Sequence, residues 1–229
     1  MKTFIKICGT TNLVDALASL YAGADALGFI FVEESKRYID PEAVKEIIGE
    51  LPVGSQVVGV FVNEPASYIV EVARALALTG VQLHGEESPR QVRGIRQQTE
   101  DSPLKIFKAI SASTLQERAL GYFTGGEELV DAIMLDSGSE RKPGGTGKPF
   151  DWIRSAEAVL DLQKRNKLIL AGGLNPMNVT TAVGLLRPWG VDAVTGLESE
   201  YGRKDHAKLR AFIAAVRGMD AGAPTTAIV

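Results

Sequence analysis

The residues with most chemistry to offer are Cys8 and Asp136. Cys8 is the sole cysteine in the sequence and ends its first apolar run, Phe4-Ile-Lys-Ile-Cys8, which Gly9 breaks. Asp136 likewise ends the apolar run Ala132-Ile-Met-Leu-Asp136. A thiolate can remove a proton, and a carboxylic acid kept protonated by burial can donate one. Facing each other across a ligand, the pair suits a reaction that moves a proton between carbons by general acid and base. An ordinary thiol has a pKa of ~8.5 and needs help to ionise. Lys6 lies close by in sequence and is read as pointing to the other side of the strand from Cys8. Both residues also have a plainer reading, Cys8 as a small buried hydrophobe and Asp136 as a cap for the loop that follows it.

Two further positions are bare. Gly172-Gly173 and Thr195-Gly196 leave backbone N–H groups free to meet an anion, or serve only as tight turns. Arg37 is either a fork for a ligand carboxylate or a solvated loop cation. His84 stacks on or hydrogen-bonds a ligand, or satisfies a neighbouring loop. Asp192 points into the core or pairs with a helix. Lys36, Lys142 and Lys148 read as solvated charges.

These residues need a scaffold, and the chain supplies a repeating one. Apolar runs at Phe4–Cys8, Ala26–Phe31, Val57–Val62, Gly80–Gly85, Leu104–Ile110, Ala132–Asp136, Leu168–Gly173 and Val191–Val194 read as strands. Between them lie helical patterns with recognisable starts: Asn12, Asp40-Pro41, Asn63-Glu-Pro65, Ser88-Pro89 and Asn175 to Asn178. The last helix is expected over Asp205 to Arg217. Eight strand–helix units of about 29 residues each favour a closed (β/α)8 barrel, the α/β TIM-barrel class, over an open sheet. With no linker or shift in composition, residues 1–217 are expected to form one domain, and 218–229 a frayed tail.

In such a barrel the carboxyl ends of the strands share one mouth. That gathers Cys8, Phe31, Asn63, His84, Ser111, Asp136, Gly172, Gly173, Thr195 and Gly196, with the two bare pairs in the last two units, where barrel phosphate sites commonly sit. The loop from Ser137 to Lys148 is long and glycine-rich, more often a functional feature than an idle one.

Composition narrows the class of protein. With 25 Lys and Arg against 28 Asp and Glu, a formal charge of -3 and no run of one sign, nothing points to nucleic acid or a membrane surface. No apolar run approaches the ~18 residues of a membrane span, and the opening residues lack a signal-peptide layout. One cysteine and two histidines make poor material for a disulfide or a structural zinc site. A cytoplasmic protein is expected.

In order along the chain stand Lys6-Ile-Cys-Gly9, Ala24-Asp-Ala-Leu-Gly-Phe29, Ser35-Lys-Arg-Tyr38, Val58-Gly-Val-Phe-Val-Asn63, Val81-Gln-Leu-His-Gly85, Leu135-Asp136, Gly144-Gly-Thr-Gly-Lys148, Leu170-Ala-Gly-Gly-Leu-Asn175 and Gly190-Val-Asp192. Together they resemble the phosphoribosylanthranilate isomerase family. The resemblance implies an Amadori rearrangement of a small phosphoribosyl substrate in tryptophan synthesis, without metal or cofactor, in a monomer or homodimer. It implies Asp136 as general acid, Cys8 as general base and Arg37 as the holder of the anthranilate carboxylate. Gly145, Gly172, Gly173, Thr195 and Gly196 would hold the phosphate, with Asp192 near the ribose hydroxyls and His84 in the pocket. Where the family usually reads Ser-Ser-Gly-Val-Glu, this chain has Val194-Thr-Gly-Leu-Glu198. Glu33 and Glu34, unexpected beside an anionic substrate, are expected to face solvent. A histidine-pathway barrel isomerase would carry Asp in place of Cys8, and a non-catalytic phosphosugar-binding barrel would not turn substrate over.

Overall fold

The computed structural model describes residues 2–111, 122, 129–136, 152–164 and 166–222. The eight predicted strands form a closed parallel barrel in sequence order. They are β1 (Phe4–Cys8), β2 (Ala26–Ile30), β3 (Gln56–Phe61), β4 (Gly80–Leu83), β5 (Lys105–Ser111), β6 (Ala132–Asp136), β7 (Leu168–Leu170) and β8 (Gly190–Ala193). β1 pairs with both β2 and β8, which closes the ring.

Seven helices cover the outside among the described residues: α1 (Leu13–Ala22), α2 (Pro41–Gly49), α3 (Ala66–Ala75), α4 (Pro89–Gln98), α5 (Trp152–Gln163), α6 (Val179–Leu186) and α7 (His206–Asp220). The helix expected between β5 and β6 lies outside the described residues. Three of the predicted start signals work as side-chain caps, while those at Asn63-Glu-Pro65 and Asn175 to Asn178 form no side-chain cap to their helices. Asn12 Oδ1 accepts the Asp15 N–H at 2.9 Å, Asp40 accepts from Glu42 ahead of Pro41, and Ser88 and Gln91 form a reciprocal capping box. α1 stops at Gly23, whose φ of 104° is the left-handed conformation that favours glycine. α7 runs three residues past the expected Arg217, because the Asp220 carboxylate accepts from both the N–H and the hydroxyl of Thr3 and so ties the helix end to the start of β1.

Strand alternation sorts the apolar residues into two cores. Phe4, Ala26, Val58, Phe107, Ala132, Met134 and Ile169 fill the barrel, capped at the amino-terminal end by Trp189 stacked 4.7 Å from Phe4. Ile5, Ile7, Leu27, Phe29, Leu83, Ile133 and Leu170 face outward to the helices. Phe31 belongs to this outer layer, its ring 5.3 Å from that of Phe61, and not to the barrel mouth where it was expected. It follows the inward-facing Ile30 by one residue, and the pleat turns it away.

One element is absent from the sequence reading. After β8 a single turn of 3-10 helix (Thr195–Leu197) leads into a two-stranded antiparallel hairpin, β9 (Glu198–Glu200) with β10 (Arg203–Lys204). Its strands are too short to leave a period-two signature. No helix among the described residues is long and apolar enough to cross a membrane.

Candidate active site

The carboxyl ends of the strands surround one cavity of about 360 Å³, within the range of small-molecule sites. Its walls include Cys8, Arg37, His84, Asp136, Gly172, Gly173, Asp192, Thr195 and Gly196. Of the predicted mouth residues, Asn63 and Ser111 do not line it, and Gly145 lies outside the described residues. Asn63, with φ of 57°, instead braces the loop after β4: its N–H donates to Glu87 Oε1 at 2.8 Å and its Oδ1 accepts from the Glu86 N–H at 2.6 Å.

Cys8 is 3% exposed and stands in register with Gly28 of β2. A Cβ at position 28 would lie 2.6 Å from Cys8 Sγ, so the glycine makes the room the sulfur occupies. Gly28→Ala is therefore expected to displace the thiol and lower turnover by at least tenfold, the scale of a misplaced reacting group. Steady-state kinetics beside a thermal melt check this.

Lys6 requires a correction. It precedes Cys8 by two residues, and a period of two puts both side chains on one face, inside the barrel. Lys6 is fully buried, and its Nζ donates to Asp192 Oδ1 at 2.6 Å. Asp192 therefore points inward, the first of its two predicted alternatives. Burial pushes the Cys8 thiol up, and Lys6 is the largest influence in the other direction. Burial alone would lower the Lys6 ammonium, but Asp192 and Cys8 outweigh it and raise it.

On the facing wall, Gln82 Nε2 lies 2.8 Å from His84 Nδ1 and His84 Nε2 lies 3.6 Å from Asp136 Oδ2. Burial lowers the His84 pKa, which favours the neutral ring. With the Gln82 amide in this orientation its N–H donates to Nδ1, which places the ring proton on Nε2, facing Asp136. Gln82 could have been picked out by the same period of two that relates it to His84.

Arg37 is buried and already forked. Its Nε and Nη2 donate to Glu198 Oε1 and Oε2 at 2.7 and 2.6 Å, and Nη2 reaches Thr195 Oγ1 at 3.1 Å. These bonds raise its pKa. Lys204 Nζ, from β10, donates to the Cys8 carbonyl at 2.7 Å and lies 3.5 Å from Glu198 Oε1. The hairpin thus ties the end of β1, the loop after β2 and the turn after β8 together. Tyr201 at its tip lies under Lys36 and Arg37, at 4.2 and 5.0 Å from the ring centroid. Lys36, Glu33 and Glu34 are exposed as expected, but Lys36 and Glu34 also stand in the cavity wall, against the expectation that they face only solvent. Glu198 and Lys204 carry no periodic signal of a role, and their partners Arg37 and the Cys8 carbonyl are distant in sequence.

The two bare turns have different reasons for being bare. Gly172 and Gly173 adopt φ of 76° and 72°, a conformation costly for other residues. Asn178 steadies that turn, its amide nitrogen donating to the Gly173 carbonyl at 3.0 Å and its Oδ1 accepting from the Asn175 N–H at 2.8 Å. Gly196 is bare because a Cβ there would come within 2.1 Å of the Leu174 carbonyl oxygen. Close packing of the two turns leaves both backbones lining the cavity.

A closed barrel that gathers a thiol, a carboxyl group, an imidazole and two glycine turns around one cavity at the carboxyl ends of its strands has the build of a (β/α)8-barrel enzyme. The particular family follows from comparison with known proteins. The chain belongs to the N-(5'-phosphoribosyl)anthranilate isomerase family, whose model matches residues 5–215. It is 43% identical over 212 residues to the N-(5'-phosphoribosyl)anthranilate isomerase of Citrifermentans bemidjiense, covering 93% of this chain and 96% of that one. A phosphoribosyl anthranilate isomerase solved with reduced 1-(o-carboxyphenylamino)-1-deoxyribulose 5-phosphate superposes with a TM-score of 0.79 at 39% identity, over 94% of this chain and 99% of that one. Monomers generated from the dimeric Thermotoga maritima enzyme superpose with a TM-score of 0.78 at 38% identity, again over 94% and 99%.

Proposed function

We propose that the cavity performs the Amadori rearrangement of N-(5-phosphoribosyl)anthranilate to 1-(2-carboxyphenylamino)-1-deoxyribulose 5-phosphate, a step of tryptophan biosynthesis. The observation that carries this reading is the joint lining of one cavity by Cys8 and Asp136 in a chain of this family. Asp136 protonates the ribose ring oxygen as its bond to C1 breaks, and the anilino nitrogen supplies the electrons that form the Schiff base. Cys8, as thiolate, then takes the proton from C2, and the electrons move to the iminium nitrogen to give the enolamine. Tautomerisation of the enolamine yields the keto product.

The remaining residues bind and orient. The backbones of Gly172, Gly173, Thr195 and Gly196, with Gly145, hold the phosphate. Asp192 meets the ribose hydroxyls, and His84 flanks the reacting carbons beside Asp136. Arg37 holds the anthranilate carboxylate through the guanidinium edge that Glu198 does not occupy. Residues 1–217 act as one domain in the cytoplasm. The assembly is a monomer or a homodimer, the Thermotoga maritima relative being described as dimeric.

The test is the decay of phosphoribosylanthranilate fluorescence with the purified protein. Catalysed decay that saturates with substrate is expected. Tight binding of the phosphosugar without turnover would overturn the reading in favour of a binding protein.

A further inference from the structure

We infer that Lys6 is the positioning residue that makes Cys8 a usable base: its ammonium, clamped by Asp192 behind the cavity wall, is the counter-charge that the thiolate needs inside the barrel. The inference rests on the reading of Cys8 as the base.

The stability of the barrel does not account for Lys6. A lysine with no exposed surface at all loses its hydration, and the ion pair with Asp192 recovers that cost only in part. An apolar pair of the same volume would hold the wall at least as well. Lys6 does not line the cavity itself and reaches a substrate only through Asp192.

Its position does offer a role. Lys6 and Cys8 are successive inward-facing residues of β1, about 7 Å apart along the strand at ~3.3 Å per residue, and a lysine side chain spans that interval. The charged groups around the thiol come from four places: Lys6 on β1, Asp192 on β8, Lys204 on β10 and Arg37 after β2. All three cations have a carboxylate partner. Arg37 is forked onto Glu198, and Lys204 donates to the Cys8 carbonyl and to Glu198. Lys6 is bonded to Asp192, and of the three it alone shares the inward face of β1 with the thiol. Its pull on the thiol exceeds both the opposing push of Asp192 and the pull of Lys204, and Cys8 in turn helps to keep the lysine charged.

Because Cys8 is the sole cysteine, its titration can be read directly from the pH dependence of iodoacetamide alkylation, without any substrate. An opposite charge a few ångströms away shifts a pKa by about one to three units. Lys6→Met is therefore expected to raise the alkylation midpoint by at least about one pH unit, to slow alkylation at neutral pH about tenfold, and to lower kcat at least tenfold. The neutral pair Lys6→Met with Asp192→Asn removes the burden of an unpaired buried carboxylate. It should still raise the midpoint, by less. A midpoint that stays put or falls in either folded variant overturns the inference. Absence of turnover in the wild type would overturn the activity reading instead, so the two failures are distinguishable.

Discussion

Replacing Cys8 by Ser or Asp136 by Asn is expected to lower kcat at least about 10²-fold, the usual contribution of a general acid or base. Serine keeps the size and polarity of the side chain, but its hydroxyl holds its proton far more tightly than a thiol does and cannot act as a base of useful strength. Asparagine keeps the shape of Asp136 but carries no acidic proton for the ring oxygen. Cys8 is a small side chain in a space cleared by Gly28, and Asp136 sits at a strand end, so both variants should melt close to wild type. Fluorescence decay gives the rates, and binding of a product analogue shows whether the site is intact. Unchanged turnover in either variant would remove that residue from the mechanism.

The second large effect falls on stability. Glu198 is buried and accepts from Arg37 through both oxygens, with Lys204 and the Gly202 N–H also near its Oε1. Burial alone would raise its pKa, but Arg37, Lys204 and the Gly202 N–H together lower it. Glu198→Ala leaves two cations buried without their carboxylate, and breaking such a pair costs roughly 3 kcal/mol or more. For a chain of this size that is a fall of about 6–12 °C in Tm. KM should rise as well, because Arg37 loses the clamp that orients it.

The pH dependence of this effect follows from the sign of the shift. A carboxylate with a lowered folded pKa contributes stability that is fully present above its unfolded value of ~4.3. That stability is lost as pH falls through the folded value. The gap in stability between wild type and Glu198→Ala should therefore be widest near neutrality and close in acid. Denaturant titrations at a series of pH values would measure it, and a gap that does not narrow at all as pH falls below ~4.3 would show that packing, not charge, holds the cluster.

Single elements show how far the sequence could be read. α1, α2, α4 and α7 were legible because their caps are local: Asn12, Asp40-Pro41, Ser88 with Gln91, and Asp205 satisfy N–H groups two or three residues on. Phe31 and Lys6 went astray for one reason. For both, the face depends on the exact position in the pleat, and a shift of one residue exchanges the barrel interior for the helix layer. The β9–β10 hairpin was not legible, since five residues in two strands offer no periodicity.

The sequence by itself determined the barrel, the strand ends that ring the cavity, and the family, because these rest on periodicity, caps and ordered motifs within short stretches of chain. Only the tertiary structure decided the partners of the buried charges. Lys6 meets Asp192 across 186 positions and Arg37 meets Glu198 across 161. Barrel closure and the hairpin after β8 bring these groups together. The charges around the Cys8 thiol are therefore set in part by residues that β1 meets only when the ring is closed.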